Sequence, residues 1–378
     1  MLGLVSLIPK IPSVSDQVVL VQHLLQPFVA QIMEGITKIK APQDLDKLAR
    51  KEIKSIISEN TDTLGRIVKK LEPVNTGVNE HFFVAILGEL WPLMDSVMDY
   101  YYDSTEIMES VCRLMKHAMA CLKHLFGQFF ERYFTTITRN YERYPLATYL
   151  YSVENALTTY YSTPDYLPML SQLYGHMIKK TQAYLSTSDP KKQDPDLIDD
   201  FFGLITRFLR KLPNAVVACD AEIAESQFKV AVQCIGITME GPVKALYQYF
   251  DEIFSLYDPE KPIPGKAVFL QIFNEKGYAA AAVTNSIQFL INDCPDRYLC
   301  KFFYDVFYAI FKHCRQICIP WFVQALQSVV PANVLTVAEK EKFIHGLQTK
   351  DYFSEKEYYN EFLEEFFSRC RTNSSLKH

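Results

Sequence analysis

The chain has 378 residues, of which 49% are hydrophobic and 22% are charged. This is enough apolar material for a large core and excludes disorder as the main state, but a single compact core stops growing at roughly 250–300 residues. The formal net charge of −5 gives no basic excess, so we expect no direct nucleic-acid binding, which depends on displacing counterions from phosphates.

Helical periodicity runs along the whole chain, and no segment shows the alternation typical of a strand. The predicted helices begin near residues 15, 43, 79, 104, 125, 146, 164, 194, 216, 240, 265, 296, 315 and 355. Taken in pairs, they recur at roughly 40–50 residues, the period of HEAT and armadillo repeats. The chain has only 13 glycines and no Gly- or Ser-rich linker. We therefore predict an all-α fold, an α-α superhelix (solenoid) of HEAT-like helical hairpins.

This solenoid is predicted to form a single array over residues 1–378. Residues 1–14 are interpreted as a truncated repeat, and residues 372–378 as a disordered tail. Four prolines lie within apolar helical runs and are each followed by two large apolar residues: Pro27, Pro92, Pro168 and Pro320. An interior proline removes a backbone hydrogen bond and kinks its helix. Four such kinks favour a curved stack, although four unrelated kinks in an ordinary helical protein are the alternative.

The clearest helix is predicted from about Asp194 to Leu212. Six apolar residues recur at spacings of three and four along one face: Leu197, Phe201, Leu204, Ile205, Phe208 and Leu212. Acidic residues crowd the first turns and basic residues the last: Asp196, Asp199, Asp200, Arg207, Arg210 and Lys211. Both clusters are expected to complement the helix dipole. Pro213 is expected to stop the helix, because proline cannot continue the backbone hydrogen bonding.

The sequence shows no pattern of catalytic or metal-binding residues. It contains no Gly-rich phosphate loop, HExxH, nucleophile elbow or CxxC pair. His313, Cys314 and Cys318 are close in sequence, but their spacing spreads them around a helix. The nine cysteines lie mostly among apolar residues and are interpreted as buried reduced thiols. We expect no cofactor, no metal and no enzymatic activity.

No run reaches about 18 uncharged apolar residues, so we expect no membrane insertion. Glu341 and His345 share a helix face, but a second such pair, which a di-metal site would need, is missing. A salt bridge or a solvated face explains them more simply.

Several segments resemble, in the same order, the transportin-3 and importin-13 branch of the importin-β superfamily. They are 64–67 (LGRI), 89–92 (ELWP), 106–116 (EIMESVCRLMK) and 195–213 (PDLIDDFFGLITRFLRKLP). The tail from 335 to 371 is similar to the natural C-terminal end of these receptors. The resemblance covers nearly the whole chain and is most specific in the 195–213 helix.

The resemblance implies the C-terminal half of a superhelical receptor that carries protein cargo through nuclear pores. Such a receptor contacts nucleoporins, shuttles between cytoplasm and nucleus, and releases cargo when Ran binds GTP. The main Ran-binding repeats of this family would lie upstream of Met1, so this half is expected to hold cargo but to respond weakly to Ran-GTP.

In these receptors, the helix that corresponds to 105–124 is arginine-rich and contacts phosphorylated Arg-Ser tracts of splicing factors. Here one polar stripe of the predicted helix contains Glu106, Glu109, Arg113, Lys116, Ala120 and Lys123. Arg113 and Lys116 match basic positions of the family, whereas Ser110 and Ala120 stand where arginines are expected. The resemblance thus implies a cargo-binding role for Arg113, Lys116 and Lys123. The alternative is a solvated face on which Glu109 and Arg113 pair one turn apart.

Arg207 and Arg210 are a second pair of candidate cargo-binding residues, although dipole complementation explains them without a ligand. For the chain as a whole, the main alternative to a transport receptor is a static HEAT-repeat scaffold subunit of a protein complex. An all-helical enzyme would need a convergent polar pocket, for which the sequence offers no residues.

Overall fold

The computed structural model describes residue 5 and residues 7–41, 45–75, 77–187, 192, 194–294, 297–349 and 355–375. Every regular element in these ranges is helical, so the predicted all-α fold is confirmed. The α-helices are α1 (Val14–Lys40), α2 (Lys47–Val68), α3 (Phe82–Tyr100), α4 (Thr105–Leu122), α5 (Gly127–Arg143), α6 (Ala147–Tyr160), α7 (Leu167–Leu185), α8 (Pro195–Lys211), α9 (Pro213–Val217), α10 (Ala221–Cys234), α11 (Glu240–Ser255), α12 (Lys266–Glu275), α13 (Tyr278–Asn292), α14 (Arg297–Val329), α15 (Val337–Thr349) and α16 (Lys356–Ser375).

The chain forms two compact units, Met1–Met177 and Ile178–His378, with the boundary inside α7. In the first unit, α1, α3 and α5 pack in one row and α2, α4 and α6 in a second, and each helix also packs against its hairpin partner. In the second unit, α8, α11 and α14 form one row, while α10, α13 and α16 form another. Within each unit, consecutive helical hairpins therefore stack on one another, as predicted for helical repeats.

Helix α4 shows how the sequence pattern produces this packing. Six apolar residues at helical spacing on the side opposite the polar stripe are all buried: Ile107, Val111, Leu114, Met115, Ala118 and Leu122. Helix α2 approaches α4 closely at Gly65, where an added Cβ would lie 3.4 Å from the Leu114 Cα. The glycine of the 64–67 segment thus lies at the contact between two helices of the same row.

An aromatic cluster fills the interior between α3 and α5. Trp91 is 1% exposed and stacks on Phe129 with their ring centroids 5.0 Å apart. Tyr133 meets Trp91 edge-on at 6.4 Å, and the Tyr133 and Ser152 hydroxyls are hydrogen-bonded at 2.6 Å. Because the buried hydroxyl has a partner, the ring can be desolvated without leaving a polar group unsatisfied.

Helix α8 closely follows its sequence prediction. The Asp194 side chain caps it by accepting a hydrogen bond from the Asp196 N–H at 3.0 Å. The predicted apolar residues from Leu197 to Phe208 are buried. The helix ends at Lys211, and Pro213 begins the short helix α9. Proline can start this next helix because the first helical N–H has no intrahelical acceptor.

The predicted position of the four prolines inside helices is confirmed only in part. Pro27, Pro92 and Pro320 lie inside α1, α3 and α14. Pro168 is instead the second residue of α7, where its missing N–H breaks no helical hydrogen bond, so the prediction of an interior kink there was wrong. In α14, the residue with non-helical dihedrals is Cys314 (φ −124°, ψ 17°) and not Pro320.

Two helices, α13 and α15, were not separated by the sequence prediction. The C-terminal end also differs from expectation, because α16 continues to Ser375 and makes residues 372–375 helical where we expected disorder. The Asn373 side chain donates to the Val334 carbonyl at 2.9 Å, which ties this last turn to the chain before α15. Residues 376–378 lie outside the described residues.

Candidate functional site

The exposed side of the α2, α4 and α6 row carries the first three candidate residues. We call this surface the α2–α4–α6 face and define it by its charged residues Asp62, Arg66, Lys69, Glu109, Arg113 and Lys116. Arg113 is 48% exposed, and Lys116 is half-buried. The helix prediction is therefore correct about which side of α4 reaches solvent.

Arg113 is held by two carboxylates. Its guanidinium donates to Asp62 of α2 and lies 3.9 Å from Glu109 of its own helix. Asp62 also pairs with Arg66 at 2.9 Å. The predicted pair of Glu109 and Arg113 is present, but the distance between its charged atoms is long. The closer contact, with Asp62, joins two helices, and the spacing of residues along one helix could not predict it. Exposed ion pairs contribute only about 0–1 kcal/mol, so a ligand anion can displace these carboxylates.

Lys116 extends the same network to α6. Its ammonium donates to the Tyr151 hydroxyl and lies 4.9 Å from the centre of that ring. The contact holds a long side chain on the surface through a hydroxyl group and not through a carboxylate. The Lys116 ammonium can therefore pair with an anionic ligand, whereas the charge of Arg113 is partly offset by Asp62.

The pKa of His117 reflects the charges that surround it on this part of the surface. Burial lowers the pKa of the imidazole, and the nearby cations Lys69, Lys116 and Arg113 lower it further, with Asp62 acting in the opposite sense. Three cations thus act on one imidazole against one carboxylate. Lys69 follows α2 and was not identified from the sequence, because it is distant from α4 along the chain.

Lys123 does not continue the stripe as predicted. Helix α4 ends at Leu122, and Lys123 has a φ of 47°, in the left-handed region, at the start of a 3-10 turn. Its carbonyl accepts a hydrogen bond from the Tyr160 hydroxyl at 3.0 Å. The Lys123 side chain is exposed, but its backbone is no longer α-helical, so the three- and four-residue spacing does not place it on the stripe. The prediction that 105–124 forms one continuous helix was therefore wrong.

Arg207 and Arg210 lie on α8 in the second unit. The Arg210 Nε donates to Glu252 Oε1 of α11 at 2.6 Å, so this arginine joins two helices of one row as Arg113 does in the first unit. Arg207 is exposed. At the other end of α8, burial raises the pKa of Asp199, as does the neighbouring Asp196, while Lys244 lowers it. For Asp199, burial and Asp196 thus act in the sense opposite to the favourable helix-dipole effect that we predicted.

Within the described part of the chain, no group of three or more His, Cys, Asp or Glu side chains is arranged to hold a metal ion. No described helix is both long and apolar enough to cross a membrane. The candidate site is thus a charged surface on stacked helical hairpins. This arrangement is typical of the class of helical-repeat proteins.

Comparisons with known proteins agree with this class. Residues 81–185 match the family model described as the fourth TPR domain of transportin-3 and importin-13. The chain is 23% identical to importin-13 of Bos taurus and of Homo sapiens, over 92% of its own length and 35% of theirs. Transportin MOS14 of Arabidopsis thaliana is also 23% identical, over 89% of this chain and 34% of that protein. The chain thus spans about a third of the length of these relatives.

A solved structure titled importin-13 in its cytosolic state shares the fold. It aligns with 93% of this chain and 38% of its own, with a TM-score of 0.76 and 13% sequence identity. The predicted helical solenoid class is therefore confirmed. Together with the match over residues 81–185, these similarities relate the chain to the transportin-3 and importin-13 branch of the importin-β family.

Proposed function

We propose that this chain is part of a nuclear transport receptor and binds protein cargo. The observation that carries the proposal is the collinear similarity to importin-13 over 92% of the chain. The stacked hairpins support it, because such stacks present long, continuous surfaces to another protein. As parts of the same proposal, the chain contacts Ran-GTP and nucleoporins and shuttles between cytoplasm and nucleus.

We further propose that the α2–α4–α6 face binds phosphorylated Arg-Ser segments of splicing factors. Such a segment alternates guanidinium groups with phosphates. The face also alternates in charge, since Arg113 and Lys116 offer cations while the neighbouring Glu106 and Glu109, both exposed, offer carboxylates. Phosphates would pair with the cations and the arginines of the cargo with the carboxylates, which gives charge complementarity along the strand.

An affinity pull-down from nuclear extract tests the transport role, with the chain as bait in the presence and absence of GTP-loaded Ran. We expect Arg-Ser splicing factors and Phe-Gly nucleoporins among the bound proteins. Because the chain spans only part of its relatives, we expect Ran-GTP to release little of the cargo. Recovery of only stable complex subunits, with neither nucleoporins nor splicing factors, would favour a static scaffold and overturn the proposal.

A further inference from the structure

Two cysteines face each other at the joint between α13 and α14. The Sγ atoms of Cys294 and Cys300 lie 3.4 Å apart, and both residues are reduced. Cys294 follows the end of α13 and is partly exposed, whereas Cys300 lies in the first turn of α14 and is 3% exposed. A disulfide sulfur–sulfur bond is about 2.05 Å long, so the two atoms need to approach by only a further ~1.4 Å.

A guanidinium from the last helix contacts this thiol pair. Arg371 of α16 places its Nη1 3.6 Å from the Cys300 Sγ and 3.2 Å from the Leu290 carbonyl oxygen. The hydrogen bond from Cys294 and the charge of Arg371 lower the pKa of the Cys300 thiol to about 7, against the opposing effect of burial. A thiolate is the reactive form of cysteine, and here a large fraction of it exists near neutral pH.

The other neighbouring pair of cysteines provides a contrast. Cys314 and Cys318 lie one turn apart on α14, and burial raises the pKa of both thiols, that of Cys318 to about 12. At Cys318 the charge of Arg315 acts in the lowering sense, but burial outweighs it. Cys300, Cys314 and Cys318 are all buried and reduced as predicted, but only at Cys300 is the pKa of the thiol lowered.

We propose that Cys294 and Cys300 are a reversible oxidation site that closes to an intramolecular disulfide. With hydrogen peroxide as the oxidant, the Cys300 thiolate attacks one peroxide oxygen, the O–O bond breaks, and hydroxide leaves. The Cys300 sulfenic acid then accepts attack by the Cys294 sulfur, which forms the S–S bond and releases water. A dithiol reductant reverses the reaction by thiol–disulfide exchange, and its own two thiols become the disulfide.

Oxidation also changes the docking of the C-terminal helix. The disulfide carries no negative charge, so Arg371 loses a charged partner and keeps the Leu290 carbonyl and the Ser368 hydroxyl. Hydrogen bonds to charged groups are stronger than neutral ones. The last turns of α16 should therefore open more often in the oxidised protein.

Peptide mass spectrometry tests the site on the full 378-residue chain, treated with hydrogen peroxide near neutral pH. Trypsin cleaves after Arg297, so it separates the two cysteines into peptides 277–297 and 298–301. We expect these two peptides to appear cross-linked after oxidation and separately after dithiothreitol. Oxidation of Cys300 to sulfinic acid without the cross-link, or preferential oxidation of other cysteines, would overturn the proposal.

Variants separate the roles of the residues. Cys294→Ser, at the partly exposed cysteine, should abolish the cross-link and leave Cys300 oxidised as the sulfenic acid. Arg371→Gln should slow the oxidation of Cys300 severalfold, because without this cation the pKa of the thiol rises and less thiolate is present near neutral pH. Arg369→Gln is the matched control, because Arg369 lies on the same helix and pairs with Glu339. Equal oxidation rates for the two arginine variants would exclude the role of Arg371.

Hydrogen exchange measures the effect on the helix. Oxidised protein and reduced Arg371→Gln should both exchange the amides of residues 366–375 several-fold faster than the reduced wild type. Unchanged exchange in the oxidised protein would show that the disulfide does not influence α16.

Discussion

Arg113 of α4 pairs with Asp62 of α2, although Glu109 lies one helical turn away on its own helix. The Asp62 side chain is 16% exposed and that of Glu109 is 52% exposed. Water screens the charge of Asp62 less, which makes it the stronger partner of the two. The contact orients the guanidinium on the α2–α4–α6 face and at the same time offsets part of its charge.

Asp62→Asn should therefore strengthen the binding of a phosphorylated Arg-Ser peptide. We expect a gain in affinity of about two- to fivefold, because Arg113 and Arg66 then meet the phosphate without the competing carboxylate of Asp62. The free energy of unfolding should fall by about 1 kcal/mol or less, because both arginine partners of Asp62 are largely exposed to screening water. Fluorescence anisotropy with a labelled peptide measures the first quantity, and urea denaturation followed by circular dichroism measures the second.

Asp99→Asn is the matched control for that experiment. Asp99 pairs with Arg139 between α3 and α5, which belong to the other row of the first unit. Peptide affinity should not change in this variant. An equal gain in both variants would mean that only net charge matters, and no gain in Asp62→Asn would contradict the role of Arg113.

Reversing the charges of Arg113 and Lys116 tests the face directly. Arg113→Glu combined with Lys116→Glu should weaken phosphopeptide binding at least tenfold, since each lost charge-assisted hydrogen bond contributes about 1.5–3 kcal/mol. Arg132→Glu combined with Arg139→Glu changes the net charge equally on α5, where the side chains are 55% and 50% exposed. If both double variants lose the same affinity, the binding surface lies elsewhere.

The sequence was sufficient to predict most of the helices, because their apolar residues recur at helical spacing. The buried side of α4 and both ends of α8 follow from spacing, capping and proline alone. What could not be predicted depends on contacts between helices. Asp62, Lys69 and Tyr151 are distant from α4 in sequence, so no periodic pattern connects them to Arg113 and Lys116.

Backbone geometry limited the prediction in a different way. Lys123 has a positive φ although it is not glycine, and the sequence does not predict this. Pro168 lies in the first turn of its helix, but its apolar neighbours made the sequence look like a helix interior. Cys300 is a buried reduced thiol as predicted, but the sequence did not predict the lowering of its pKa. Its partner Arg371 lies on another helix, 71 residues away along the chain.

Gly65 should be sensitive to a larger side chain because α2 and α4 approach each other there. An added Cβ already lies 3.4 Å from the Leu114 Cα, so the methyl groups of valine would push the helices apart. We expect Gly65→Val to lower the free energy of unfolding by about 1–3 kcal/mol. Gly88→Val, in α3, is the control, since nothing lies within 4 Å of its added Cβ. Thermal or urea denaturation compares the two, and equal stabilities would show that the close approach is not tight.

Asp199 is expected to oppose folding at neutral pH. Burial and the charge of Asp196 raise its pKa in the folded protein. A carboxyl group with a raised folded pKa binds its proton more tightly in the folded state, so the free energy of unfolding falls as pH rises from the unfolded pKa to the folded one. The penalty is then constant up to neutral pH.

Asp199→Asn removes that charge and should make the protein more stable at pH 7, with a gain that shrinks as the pH is lowered toward 4. Urea denaturation at several pH values measures the difference. Glu361→Gln, at an exposed site in α16, is the control and should change stability by less than about 0.5 kcal/mol. If Asp199→Asn instead lowers stability at pH 7, the dipole of α8 stabilises the carboxylate more than burial penalises it. Asp199 would then have the favourable role that the sequence first suggested.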